Sequence, residues 1–352
     1  LKSFAKKNGL KIISLDEAYD LDDVVFLSLE FDKIVRPKKF KTDRLFNIHF
    51  SLLPKYKGMY TSVFPIINRD DTSGVTLHCI DSGIDTGDII DQMSFPLTKK
   101  ETCESLYLKY IDNGTSLVLN NIHNILNNKF KQYPQKTAGS TYNAKDSIDF
   151  NHITIPLNQT ASELDAIIRA FHFRSYQLPC IMGSMISSTH ICDEKSPIRP
   201  GNVINETDEF LKLSTIDYNI LLFKDKFIDV LNFCKENNVD ALQAVPNIES
   251  YINEKETKHG WTPLMVAAYN GAMDTITYLI SIGADVNAQN FNGTTVAMYA
   301  KEAYLQGKGI SAIKTIIENG ANLFTKDYNG KNIFDYVKED GIPVENFFGK
   351  LL

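Results

Sequence analysis

Residues 45–58 read LFNIHFSLLPKYKG, and they place an amide and an imidazole two positions apart at the end of an apolar run. On a strand, side chains at i and i+2 leave the same face, so Asn47 and His49 are aimed together. Two polar groups aimed together from a strand end, one of them titrating near neutrality, look like a site. The bland reading of the pair is two satisfied polar residues in a core. A second polar cluster follows at 83–90, GIDTGDII, with acids at Asp85 and Asp88 and a further acid, Asp81, just before it.

These groups need elements to carry them. From 1 to about 130 strand and helix patterns alternate: VVFLSLEF at 24–31, RLFNIHFS, GVTLHCID at 74–81 and DIIDQMSFPL at 88–97 read as strands. The nearly continuous apolar runs suit strands covered on both faces of a parallel sheet, and ESLYLKYIDNGTSLVLNNIHNIL at 104–126 has helical periodicity. The expectation is an α/β, Rossmann-like domain of the doubly wound kind, whose ligands sit beyond the strand ends. The chain opens LKSFAKKNGLKIISL, read as a helix and a short strand, so a first βα unit is expected upstream of Leu1. Residues 131–225 are turn-rich, with one short helix and several short strands, and read as a small, mostly β second domain.

From 226 to 352 the chain reads as a repeat module. Gly260 and Gly293 are 33 residues apart, and Gly330 follows 37 after Gly293, which fits the same unit with an insertion near LQGKG. TPLMVAA and GADVNAQN at this period resemble the ankyrin repeat, an all-α stack. FIDVLNFCKENNVDALQ at 227–243 would cover one end of it. Trp261 is the sole tryptophan and stands at a repeat tip. Three roles compete for it: packing on a neighbouring helix, anchoring a protein partner, or stacking on a planar ligand as a second nucleotide site.

Composition narrows the classes of function. The net charge of −6 and the lack of a long Lys/Arg run weigh against a nucleic-acid partner. No run approaches the ~18 apolar residues of a membrane span. Five scattered cysteines without CxxC spacing suggest reduced thiols, no metal site and a cytoplasmic location.

The ordered set N-x-H-x-S-L-L-P, G-V-T-x-H and D-T-G-D resembles the folate-dependent formyltransferase family. IRAFHFRSYQLP and STIDY are similar to its subgroup acting on dTDP-linked amino-dideoxy sugars. The resemblance covers about 1–225. It implies N(10)-formyltetrahydrofolate as co-substrate and formyl transfer to a sugar amine, with a 3-amino-3,6-dideoxy sugar favoured, for a bacterial surface polysaccharide such as lipopolysaccharide O-antigen. It also implies a homodimer.

By the same resemblance Asn47, His49 and Asp85 are the catalytic trio, with Asn47 donating to the oxyanion and His49 handling the proton. Asp85, with Asp81 and Asp88 as its alternatives, would hold the imidazole or an ordered water, and its charge is expected to raise the pKa of His49. Asp88 is read as loop-capping, and His78 as packing or lining the pocket. Ser51 and Cys79 are not needed as nucleophiles. The backbone around Leu29 and Glu30 would receive the pterin, together with Asp85. Ser51, Lys55, Tyr56, Lys57 and Tyr60 would form the rim for the nucleotide sugar, the lysines for phosphate and the tyrosines for stacking. The rivals are an ankyrin-type binding protein with a degenerate enzyme domain, and a methionyl-tRNA formyltransferase. The intact trio speaks against the first and the acidic balance against the second.

Overall fold

A computed structural model describes residues 2–31, 33–343, 347 and 349. Asp32, in the loop expected to receive the pterin, and the chain end at 350–352, assigned above to the repeat module, lie outside the described residues. The chain divides into two compact units: Lys11–Phe173 with Gln177–Phe223, and Leu1–Leu10 with Arg174–Tyr176 and Lys224–Leu352.

The first unit is built on a four-stranded sheet in the order Phe26–Leu29, Leu45–His49, Thr72–Cys79, Ile89–Pro96. The sheet is mixed, not parallel throughout. Phe26–Leu29 runs parallel to Leu45–His49, but the remaining two pairings are antiparallel. Thr72–Cys79 and Ile89–Pro96 are joined by the single loop at 80–88, and a connection that short can only return the chain antiparallel. The expected strand at KIISL is absent: Ser14 and Glu17 form a capping box that opens the helix Leu15–Tyr19 instead.

The helix Cys103–Leu126 starts at Thr102, whose side chain accepts from Ser105 N. It buries Leu106, Tyr110, Gly114 and Leu117, a face with three- and four-residue spacing. That face packs with Phe46, Ile48, Val75 and Leu77 of the sheet in one core. In the same unit the helix Ala161–Ala170 covers a five-stranded sheet in the order Cys180–Ile181, Ser184–Lys195, Tyr218–Lys224, Phe210–Leu213, Val203–Glu206, with a core that includes Leu164, Ile168, Leu213 and Ile220.

The second unit contains helix pairs. Pro263–Asn270 and Met273–Ser281 form one, Val296–Leu305 and Ser311–Glu318 the next, and Ile333–Glu339 follows. Thr262, Thr295 and Asn332 cap the first helix of each repeat. At the tips Gly260 and Gly293 both have φ +77°, and a Cβ there would lie 2.6 Å from Phe291 and 2.9 Å from Tyr328 respectively. Only glycine suits both the conformation and the close approach of the following repeat. Phe227–Glu236 and Val239–Gln243 precede the array, and Val230, Cys234 and Leu242 join its core.

Gly114 faces the strand that carries Asn47 and His49. A Cβ there would lie 3.3 Å from both Ile48 Cγ2 and Phe50 Cε1. Gly114→Leu is expected to overpack this contact and destabilise the protein by about 1–3 kcal/mol. Denaturant unfolding of the variant checks this, and an unchanged midpoint would show that the helix has room to move.

Candidate active site

Antiparallel register sets Asn47 directly opposite His78 and His49 opposite Thr76. Asn47 Nδ2 lies 3.1 Å from His78 Nε2 and donates to Asp85 Oδ1 at 3.4 Å. Asp85 comes from the loop between the last two strands. Its two carboxylate oxygens face the two imidazoles, Oδ2 at 3.4 Å from His49 Nδ1 and Oδ1 at 3.5 Å from His78 Nε2. Both histidines are buried, and the Asp85 side chain is 13% exposed. The site is therefore a quartet, with His78 as its fourth member. Sequence gave His78 a packing or lining role, because a histidine in a strand shows its neighbours only once the register is known.

Main-chain carbonyls fix the ring tautomers. A carbonyl oxygen can only accept, so His49 Nε2 donates to Tyr56 O at 2.8 Å and His78 Nδ1 donates to Cys79 O at 2.8 Å. His78 Nε2 is within reach of both Asn47 Nδ2 and Asp85 Oδ1, while His49 turns Nδ1 toward Asp85.

The SLLPKYKG turn is built to deliver these contacts. Ser51 Oγ donates to Lys55 O at 2.7 Å, and Thr76 Oγ1 donates to Ser51 O at 2.6 Å. The turn closes by presenting Tyr56 O to His49 and Gly58 N to Asp85 Oδ2 at 2.9 Å. Gly58 has φ +84°, and a Cβ would fall 2.2 Å from Asn143 O. Neither main-chain group carries a signal in the sequence.

The residues expected at the rim separate into two sets. Ser51 is fully buried, and Tyr56 is 5% exposed with its hydroxyl bonded to Asp70 and Asn68. These two shape the turn from inside and do not line a rim. Lys55, Lys57 and Tyr60 keep partial exposure. Lys55 Nζ is 2.7 Å from Asp70 Oδ2, and Tyr60 donates to Lys145 O at 2.6 Å. Leu29 pairs with Ile48 at the end of its strand and is exposed, and Glu30 follows it in the left-handed region at φ +48°, so this strand end lies beside the site. Among the three acids, Asp81 caps the loop, accepting from Gly83 N and Thr86 Oγ1. It takes the role expected of Asp88 because both donors lie within its reach.

Burial raises the Asp85 carboxyl, but His78, the His49 ring and the Gly58 amide together outweigh it and hold it below its ordinary value. Burial also dominates at His49 and lowers its pKa, against the opposing pull of Asp85 and the Tyr56 carbonyl. The expected rise is thus reversed, because the site is dry enough for desolvation to win. Cys79 is pushed up to about 11 by burial and by the charges of Asp88, Asp43 and Asp81, which leaves it a poor nucleophile.

Within the second unit, Trp261 packs on His259, with ring centroids 4.7 Å apart and 20° between planes, and its Nε1 donates to Tyr299 Oη at 2.6 Å. With Met265, Val266, Tyr269, Asn270 and Tyr299 it lines a pocket of about 200 Å³.

A mixed sheet ending in an Asn-His-His-Asp cluster, followed by ankyrin helices, defines the class, and comparison with known proteins agrees. Residues 7–122 match the formyl transferase family and 230–330 match ankyrin repeats (3 copies). The N-formyltransferase of Helicobacter canadensis, solved with folinic acid and dTDP-3-aminofucose, is 44% identical, with a TM-score of 0.59 over 64% of this chain and 82% of that one. WlaRD, a sugar 3N-formyl transferase solved in the presence of dTDP and 5-N-formyl-THF, gives 44% and 0.59 over 64% and 81%. This chain belongs to the sugar N-formyltransferase family. The methionyl-tRNA formyltransferase of Methylacidiphilum infernorum is 36% identical over 126 residues, and the chain spans only 39% of that relative's length.

The two pKa shifts act on stability with the same sign. The folded protein refuses protons at His49 and Asp85 that the unfolded chain accepts, so acidification favours unfolding. The His49 contribution is complete above the ordinary histidine value of ~6.5 and is lost as pH falls through its lower folded value. The Asp85 contribution is lost further down, below the ordinary carboxylate value of ~4. The free energy of unfolding should therefore drop as pH falls below the ordinary histidine value of ~6.5, and His49→Gln should flatten the first part of that drop. Denaturant titrations of both proteins across this range measure it, and parallel profiles would contradict the assignment.

Proposed function

We propose that this protein transfers the formyl group of N(10)-formyltetrahydrofolate to the amine of a dTDP-linked amino-dideoxyhexose. The observation that carries the reading is the convergence of Asn47, His49 and His78 on the carboxylate of Asp85 at one strand end. The ligands in the two related structures support the substrate classes, and a 3-amino-3,6-dideoxy sugar is favoured because one was solved with dTDP-3-aminofucose and the other is a sugar 3N-formyl transferase. Formylated sugars of this kind would serve surface polysaccharide.

In this reading the amine attacks the formyl carbon and an oxyanion develops. Asn47 donates to it, exchanging its longer contact with Asp85 for the reacting oxygen. The amine loses a proton as the C–N bond forms, and neutral His49 accepts it at Nδ1, where Asp85 stabilises the resulting imidazolium; the intermediate then collapses by breaking its bond to N10, the imidazolium returns the proton to that nitrogen, and tetrahydrofolate leaves. The exposed strand end at Leu29 and Glu30 receives the pterin, and Lys55, Lys57 and Tyr60 face the nucleotide. Asn47→Ala, His49→Ala and Asp85→Ala should each lower kcat by about 10²–10³-fold. Incubation with formyltetrahydrofolate and a panel of nucleotide-linked amino sugars tests this, and full activity in any of the three would remove that residue from the chemistry.

A second reading concerns Trp261. Its pocket of about 200 Å³ is smaller than the ~300 Å³ lower bound of typical ligand sites, so it would admit a planar ring and leave the remainder of the ligand outside. His259 covers one face of the indole and leaves the other for a base such as thymine. On this reading, calorimetric titration with the nucleotide sugar finds two sites per chain, and Trp261→Ala leaves one. Unchanged stoichiometry and an unchanged rate-versus-substrate curve would remove the second site.

A further inference from the structure

Residues 133–143 place no side chain in the quartet, yet they fasten both loops that complete it. At one end Tyr133 and Ile89 exchange main-chain bonds of 2.8 Å in each direction. Two residues on, Gln135 Nε2 donates to Asp85 O and to Gly87 O, both at 2.8 Å. At the other end Thr141 Oγ1 accepts from Tyr56 N at 2.7 Å, Thr141 O accepts from Lys57 N at 3.0 Å, and Asn143 O accepts from Met59 N at 2.9 Å. One segment thus holds the main chain on either side of the groups that reach His49 and Asp85.

The hold on Asp85 is the more demanding of the two. Its backbone lies at φ +54°, in the left-handed region that a residue with a Cβ seldom adopts without support. The amide of Gln135 can face the two carbonyls only with its NH2, since its oxygen would meet them acceptor to acceptor. In this orientation Gln135 Oε1 is buried without a hydrogen-bond partner among the described residues. An unpaired buried carbonyl has a cost, which the two donated bonds offset.

We propose that Gln135 is a positioning residue for formyl transfer, its side-chain amide setting the main chain of Asp85 so that the carboxylate stays between His49 and His78. This rests on the reading of Asp85 as part of the catalytic group. Gln135 touches no reacting atom, so its removal changes the rate of the step and not the binding of either substrate.

Gln135→Met keeps the length of the side chain and removes both donors, while Gln135→Lys returns a donor to the same carbonyls. With the full chain, formyltetrahydrofolate and the amino-sugar panel, Gln135→Met should lower kcat on the order of 10- to 100-fold, the scale of a displaced catalytic group. Both KM values should stay near wild type, the thermal midpoint should fall only modestly so that the protein stays folded at the assay temperature, and Gln135→Lys should recover much of the rate. Gln135→Asn, too short to span both carbonyls, gives the same comparison if the Met variant does not fold. An active wild type beside a Met variant of undiminished kcat, or a loss that only follows the folded fraction, overturns the positioning role alone. A wild type that formylates no sugar of the panel overturns the catalytic reading, and this proposal with it.

Discussion

The site depends on one buried carboxylate shared by two imidazoles. Asp85 sits where burial opposes its charge, and three contacts restore the balance: His78, His49 and the Gly58 amide. Each draws on a different part of the fold. His78 arrives through strand register, His49 through the i+2 spacing from Asn47, and Gly58 through a turn closed by Ser51 and Thr76. A shift of one residue between the strands Leu45–His49 and Thr72–Cys79 would turn His78 to the other face and leave the carboxylate half supported.

Burial has a second effect on the same group. It shifts His49 toward its neutral form even with a carboxylate 3.4 Å away, because desolvation outweighs the ion pair. A neutral imidazole with a free nitrogen beside a negative charge is prepared to accept a proton and to be stabilised once it has done so. Charge alone pointed to the opposite shift, since nothing in a sequence reports how dry a site is.

Much of the architecture was legible because it rests on period and punctuation. The strands from Phe26 to Pro96 and the helix Cys103–Leu126 follow from apolar runs, and the helix pairs follow from the 33-residue spacing of Gly260 and Gly293 with Thr-Pro-Leu at a helix start. The sheet was harder, since continuous apolar strands suit parallel or mixed order alike. The direction of Thr72–Cys79 is decided by pairing, which leaves no mark in composition. At the site, Asn47, His49 and Asp85 could be nominated by type and order. Ser51 and Tyr56 could not be told apart from true rim residues, because a polar residue in a turn reads the same whether it faces out or closes the turn on itself.

Two of the contacts that hold the charged groups come from the main chain, Tyr56 O to His49 and Gly58 N to Asp85. A side-chain replacement leaves the carbonyl and the amide in place, so a mutational scan of this enzyme would under-report them however complete it was. What such a scan can register is the shape of the turn, through the few side chains that bend it. Genetic evidence of importance would therefore appear at Ser51, Thr76 or Thr141, side chains that hold the turn without touching the reacting groups.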